Sequence, residues 1–311
     1  MDSPALFVPL ALLAGALLAV QASANLQLRT VTGSALTAST LQLTVGTVAL
    51  LAVAALAGAL RALDLLPVAT WWHLLGGLGS AVYITATILL FPRLGAVVSV
   101  GLFITGQMLA SLALDALGLL GVPVRPIGPG DAAGLLAVIG GAALIVRAQG
   151  GAQGSQHRSA RQIGWILLAV MAGAALPVQG AVNALLRGDL GAPLAVGVVS
   201  FVVATGAMAL LLVPAITVGG EPWPPARSLA RAPWWGWLGG ICGAVYVTSM
   251  FTAMPVLGAA VVVGLTVAGQ QIAAVLFDRF GLLRLPRRPV TIVRLGGVAL
   301  LLIGVALSQL S

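Results

Sequence analysis

The chain has 311 residues, 60% of them hydrophobic and only 7% charged, and its net charge of +8 comes entirely from arginine because lysine is absent. A soluble domain carries about 25% charged residues, so most of this surface must face hydrocarbon, as the mean hydropathy of +1.11 also indicates. The arginines are scattered through short segments between apolar runs, which excludes a nucleic-acid surface, and the single cysteine, Cys242, excludes an internal disulfide or a cysteine-based metal cluster.

Apolar runs of about 20 residues, enough to cross a bilayer, predict helices near 6–25, 35–60, 71–91, 95–117, 132–149, 163–184, 193–217, 234–254, 258–280 and 291–310. The expected class is an all-α integral membrane protein of about ten transmembrane helices. The first run ends at Ala22-Ser23-Ala24, which looks like a signal-peptidase site. No basic residue precedes it, however, and the sixth run, deep in the chain, matches it. It is therefore expected to stay as a helix. It carries Gln21 and Asn25, four apart and on one face.

The third run opens on Trp71-Trp72, an interfacial position, and places Gly76, Ser80 and Tyr83 on one face. On the fourth, Gln107, Ser111 and Asp115 step by four along another. Residues 150–162, rich in Gly, Ser, Gln and Arg, read as a linker. The sixth run carries Gln179 and Asn183, preceded by Pro177, whose missing backbone donor predicts a kink. The eighth opens on Trp234-Trp235 and holds Tyr246, and Trp223 and Trp237 are expected at the interface too. The ninth carries Gln270 and Asp278.

These features recur because the chain is an internal repeat. A shift of 163 superposes Trp71-Trp72 on Trp234-Trp235, Gly76-Gly77 on Gly239-Gly240, Tyr83 on Tyr246, Gln107 on Gln270 and Asp115 on Asp278. Roughly half of the positions from Trp71 to Leu119 are identical, beyond what shared hydrophobicity gives. A shift of 158 superposes Gln21 on Gln179, Asn25 on Asn183, Arg29 on Arg187 and Gly33 on Gly191. The expected division is a first repeat over 1–149, the linker 150–162 and a second repeat over 163–311. Five spans is an odd number, so the second repeat is expected to enter the membrane from the opposite side, a plan characteristic of secondary transporters.

The repeated residues are a Gln and an Asn four apart, Trp-x-x-x-Gly-Gly, Tyr-x-Thr, Pro-x-Leu-Gly, Gly-Gln and Asp-x-x-Gly. This pattern resembles the YdcZ-like family of the drug/metabolite transporter superfamily, bacterial inner-membrane proteins found as five-helix chains or fused ten-helix chains. The chain looks like the fused form over nearly its whole length. The resemblance implies an inner-membrane transporter, with export as the expected direction, and says little about cargo. Relatives in the wider superfamily place both termini in the cytoplasm. The arginines here imply the reverse. Arg29, Arg93, Arg147, Arg158, Arg161, Arg227, Arg231, Arg279, Arg284, Arg287, Arg288 and Arg294 fall on one side, against Arg61, Arg125 and Arg187 on the other. By the positive-inside rule both termini lie outside.

Polar residues inside a bilayer are costly and mark function or interhelical bonding. Gln21, Asn25, Gln179, Asn183, Gln107, Gln270, Tyr83 and Tyr246 are the candidate substrate-binding residues, with packing glue as the alternative for each. Asp115 and Asp278, near helix ends, are candidates for proton coupling if a cavity reaches them. Otherwise they are helix-end charge pairs, Asp278 with the adjacent Arg279. His73 and His157 lie near an interface and in the linker. Nothing in the spans resembles a metal cluster or paired carboxylates, and no phosphate-binding Gly-x-x-x-x-Gly-Lys occurs. An intramembrane enzyme is therefore disfavoured, and no cofactor is expected. The leading function is alternating-access transport of a small neutral or amphipathic metabolite, with lipid handling as the alternative on the same fold. Because the fused repeat carries its own pseudo-twofold, a monomer suffices, and a homodimer stays open.

Overall fold

The computed structural model describes residues 4–121, 124, 126–150, 160–220, 223–257, 259–285, 287 and 291–308. Asp2, Arg125, the linker stretch 151–159 with His157 and Arg158, Glu221, Gly258 and Arg288 lie outside the described residues.

Every regular element among the described residues is helical. In chain order these are α1 (Pro4–Thr32), α2 (Ala35–Leu56), α3 (Gly77–Leu94), α4 (Ala96–Leu117), α5 (Pro129–Gly150), α6 (Ala160–Leu190), α7 (Pro193–Thr217), the single turn α8 (Ala226–Leu229), α9 (Leu238–Leu257), α10 (Ala259–Phe280) and α11 (Ile292–Ser308). Seven of the helices in the described residues are long and apolar enough to cross a membrane. The chain is thus a multi-pass membrane protein.

Two differences from the expected spans have local causes. α1 and α6 run one to two turns further than hydropathy suggests, because their polar ends find partners. Arg29 donates to the Ile88 carbonyl oxygen at 3.0 Å. Both helices then stop where Gly33 and Gly191 adopt φ of 73° and 65°, a left-handed cap that glycine takes without strain. The tryptophan pairs do not open α-helices. Trp71–Gly76 and Trp234–Trp237 are 3-10 turns that lead into α3 and α9, entered from extended Thr70 and Pro233. Trp71 and Trp234 are largely exposed.

The most extensive helix contacts cross between the two halves of the chain: α1 with α9 and α10, α6 with α3 and α4, α2 with α7, and α5 with α11. Small residues make this closeness possible. A Cβ on Gly15 or Gly269 would collide with the carbonyl of Thr266 or Leu12, which welds α1 to α10. The same pair of collisions joins α6 to α4, where Gly173 meets Phe103 and Gly106 meets Val170. Gly141 abuts the Gly297 carbonyl and Gly304 that of Gly134 between α5 and α11. Each contact is matched by one displaced by 158 or 163 residues. At the centre of α2 and α7, Thr47 Oγ1 and Thr205 Oγ1 lie 2.8 Å apart and are each other's counterparts. Such reciprocity is the mark of a self-complementary, twofold-like interface.

Candidate functional site

Gln107 and Gln270 are the twelfth residues of their 22-residue helices, α4 and α10. At 1.5 Å per residue they lie about 16 Å in from the helix start, near mid-depth. Gln270 Nε2 donates to Tyr83 Oη at 2.7 Å, a buried bond between second and first halves. The Tyr83 ring leans on Phe103 with centroids 5.0 Å apart. Tyr246, partly buried, packs against two apolar clusters at once. The reciprocal bond from Gln107 to Tyr246 is not made, since Gln107 Nε2 is buried without a hydrogen-bond partner.

Two polar junctions flank this centre. In one, α6 meets α3 and α7. Gln179 Oε1 accepts from Ser80 Oγ at 3.0 Å, Gln179 Nε2 reaches Ser80 Oγ at 2.8 Å and Ser200 Oγ at 3.4 Å, and Asn183 Nδ2 donates to Ser200 Oγ at 3.2 Å. Asn183 Oδ1 presses on Gly76, where any side chain would collide. In the other junction α1 meets α9 and α2. Asn25 Oδ1 presses on Gly239 in the same way, and the Gln42 carbonyl oxygen presses on Gly240. Gln21, Asn25, Gln179 and Asn183 are all buried. The sequence-predicted amides therefore form two junctions and a centre. Replacing Gln179 with leucine strands Ser80 and weakens the hold on Ser200. Unfolding in detergent should show a loss of about 1–3 kcal/mol, and an unchanged midpoint would mean that the network does not form.

The charged candidates sit differently from expectation. Asp278 does not pair with its neighbour Arg279. Its Oδ2 accepts from Arg294 Nη2 at 2.6 Å, and its two oxygens take the backbone N–H groups of Ala96 and Val97 at 3.3 and 3.4 Å. The carboxylate thus caps the N-terminus of α4, where the helix dipole favours negative charge. Asp115 is partly buried near the end of α4. His73 Nδ1 lies 2.6 Å from Asp189 Oδ2, tying the entrance of α3 to the end of α6. Sequence reasoning missed the buried Gln42 and the bonding partners Ser200 and Arg294. Gln42 was visible as an amide inside an apolar run. Ser200 and Arg294 become visible only once the helices are packed.

The chain matches the model of the family described as "Putative inner membrane exporter, YdcZ" over two segments, residues 6–144 and 164–307. Among solved structures, one described as "Crystal structure of protein" is 19% identical with a TM-score of 0.61, covering 96% of each chain. At that identity the likeness speaks for the fold alone. None of the curated proteins matches.

Proposed function

This chain belongs to the YdcZ family of inner-membrane proteins, and from that membership we propose that it is a secondary exporter that moves a small neutral or amphipathic metabolite by alternating access. On this reading ten spans form two inverted repeats, 1–149 and 163–311, joined by 150–162. The reciprocal contacts and the two-segment family match support it. On this reading both termini lie outside, which the arginine distribution supports.

The observation that carries the proposal is the buried Gln270–Tyr83 bond, at mid-depth and between the halves. A carrier's site lies there, at the interface of repeats that rock against each other. Gln107 and Tyr246 form its other wall, and Gln21, Asn25, Gln179 and Asn183 line the routes on either side. The wall is amide and phenol with no carboxylate, which suits an uncharged cargo better than a cation. Asp115 and Asp278 are the proton-coupling residues on this reading. Asp278 binds both Arg294 and the start of α4, so it links α10 to two neighbouring helices.

Thermal unfolding in detergent against a panel of metabolites, amines and lipids tests this reading. A ligand at 100 times its dissociation constant adds about 2.7 kcal/mol. That gain should disappear in Gln270→Ala and Gln107→Ala. Stabilisation by lipids alone, unchanged in both variants, would replace metabolite export with lipid handling.

A further inference from the structure

The junction of α1, α2 and α9 is in a state that its counterpart is not. Asn25 and Gln42 are fully buried, and neither atom of either carboxamide has a hydrogen-bond partner. In the counterpart junction Asn183 Nδ2 donates to Ser200, the equivalent of Gln42, and Gln179, the equivalent of Gln21, bonds to Ser80 and Ser200, so that of these groups Asn183 Oδ1 alone lacks a partner. Residue identity explains the difference. Where one half has Ser200 the other has Gln42, and where one has Ser80 the other has Gly243. A Cβ on Gly243 would stand 2.8 Å from Gln21 Nε2 and 3.3 Å from Phe201 Cζ. The room that a serine uses for bonding in one junction is filled by an amide and an aromatic ring in the other.

Buried amides without a hydrogen-bond partner are costly inside a membrane protein. These amides therefore favour any conformation that gives them a partner. Two carboxamides present two carbonyl acceptors and two N–H₂ donors with no net charge. An anion would satisfy only the donors and a cation only the acceptors. A hydroxyl or an amide serves both. The face of α9 at this junction is Gly239 against Asn25 Oδ1, Gly240 against the main-chain oxygen of Gln42 and Gly243 against Gln21 Nε2, and it has no side chain to interlock with α1 or α2. The fully buried Phe201 adds an apolar wall.

We propose that the α1–α2–α9 junction is the subsite for the cargo's uncharged hydrogen-bonding group, a hydroxyl or an amide, which enters when α9 parts from α1 and α2. The α3–α6–α7 junction, held by its own bonds, is the closed side of this conformation. The proposal rests on the carrier reading and names the chemistry of its cargo.

The test uses the full-length protein in detergent micelles, with Cys242→Ala as background and either Gln42→Cys or Ser200→Cys added. N-ethylmaleimide is the probe, being small, neutral and rich in carbonyl acceptors. It should modify the Gln42→Cys protein at least tenfold faster than the Ser200→Cys protein. Charged methanethiosulfonates of similar size should be at least tenfold slower at position 42, each rate taken relative to an exposed control cysteine. Equal rates at 42 and 200 would show that the junction does not open, and equal access for charged reagents would overturn the neutral class. As an independent arm, Gln42→Met should raise the melting temperature by several degrees and abolish stabilisation by hydroxyl- or amide-bearing ligands. A melting temperature at or below that of the native protein would overturn the claim of an unpaired amide. Ligand stabilisation lost in Gln270→Ala but kept in Gln42→Met would leave the carrier and remove the subsite. Stabilisation kept in both would remove the carrier reading itself.

Discussion

Replacing Arg294 with methionine is expected to cost about 3–5 kcal/mol, because it leaves the Asp278 carboxylate buried without its counter-charge. The side chains of the pair are 4% and 2% exposed, so solvent does little to screen them. Two backbone N–H groups of α4 still face the carboxylate in that variant, but they carry only partial charge. Removing both charges should recover much of the loss, since the desolvation penalty of the pair disappears with the attraction. A double-mutant cycle with Asp278→Asn, read by unfolding midpoints in detergent, measures the coupling. If Arg294→Met unfolds like the native protein, the pair does not hold α11 and α10 to the start of α4. The equivalent positions in the first half are Asp115 and Asp131, two acids instead of an acid and a base. Asp131 Oδ2 accepts from the Gly128 N–H at 3.0 Å and so caps α5 instead. The reciprocity of the helix contacts is thus not carried over to these charges.

Gly269→Val and Gly106→Val should each cost about 3 kcal/mol or more, at the upper end of overpacking effects. In both cases the new Cβ would collide with a main-chain carbonyl, of Leu12 in one and of Val170 in the other. A carbonyl within a helix cannot rotate aside, so the whole helix must move. The displaced contact is α1 on α10 or α4 on α6, and these helices carry the amides of the centre and of both junctions. Stability and ligand response should therefore fall together. Gly180→Ala and Gly206→Ala are the controls. Nothing lies within 4 Å of a Cβ at either position, and alanine in a helix is better than glycine by about 0.5–1 kcal/mol. Should the valine and alanine variants unfold alike, close helix approach is not what holds the halves together.

Much of the architecture was legible before any packing was known. The family resemblance rested on repeated residues such as Tyr83 with Tyr246 and Gln107 with Gln270, and the family match covers both halves. The predicted apolar runs correspond to helices, with end errors at Thr32 and Leu190 because hydropathy does not register a polar end that finds a partner. The tryptophan pairs were placed at helix entrances correctly, yet as α-helix where the backbone is 3-10. The site was legible as a set of residues and not as an arrangement. Gln21 and Gln179 read as equivalent, although one network is bonded and the other half's Asn25 and Gln42 are not.

The division has one physical reason. Hydropathy, turn-forming glycines and internal identity are properties of neighbouring residues or of the chain compared with itself, so the sequence alone determined the helical, multi-pass class and the family. Which side chains meet depends on how each helix is rotated and how closely it crosses another. Gln270 reaches Tyr83 across 187 residues, Asp278 prefers Arg294 to the adjacent Arg279, and Asn25 lies against Gly239 of the other half. Those choices were decided only by tertiary structure, through glycine contacts that set helix spacing to within a methyl group.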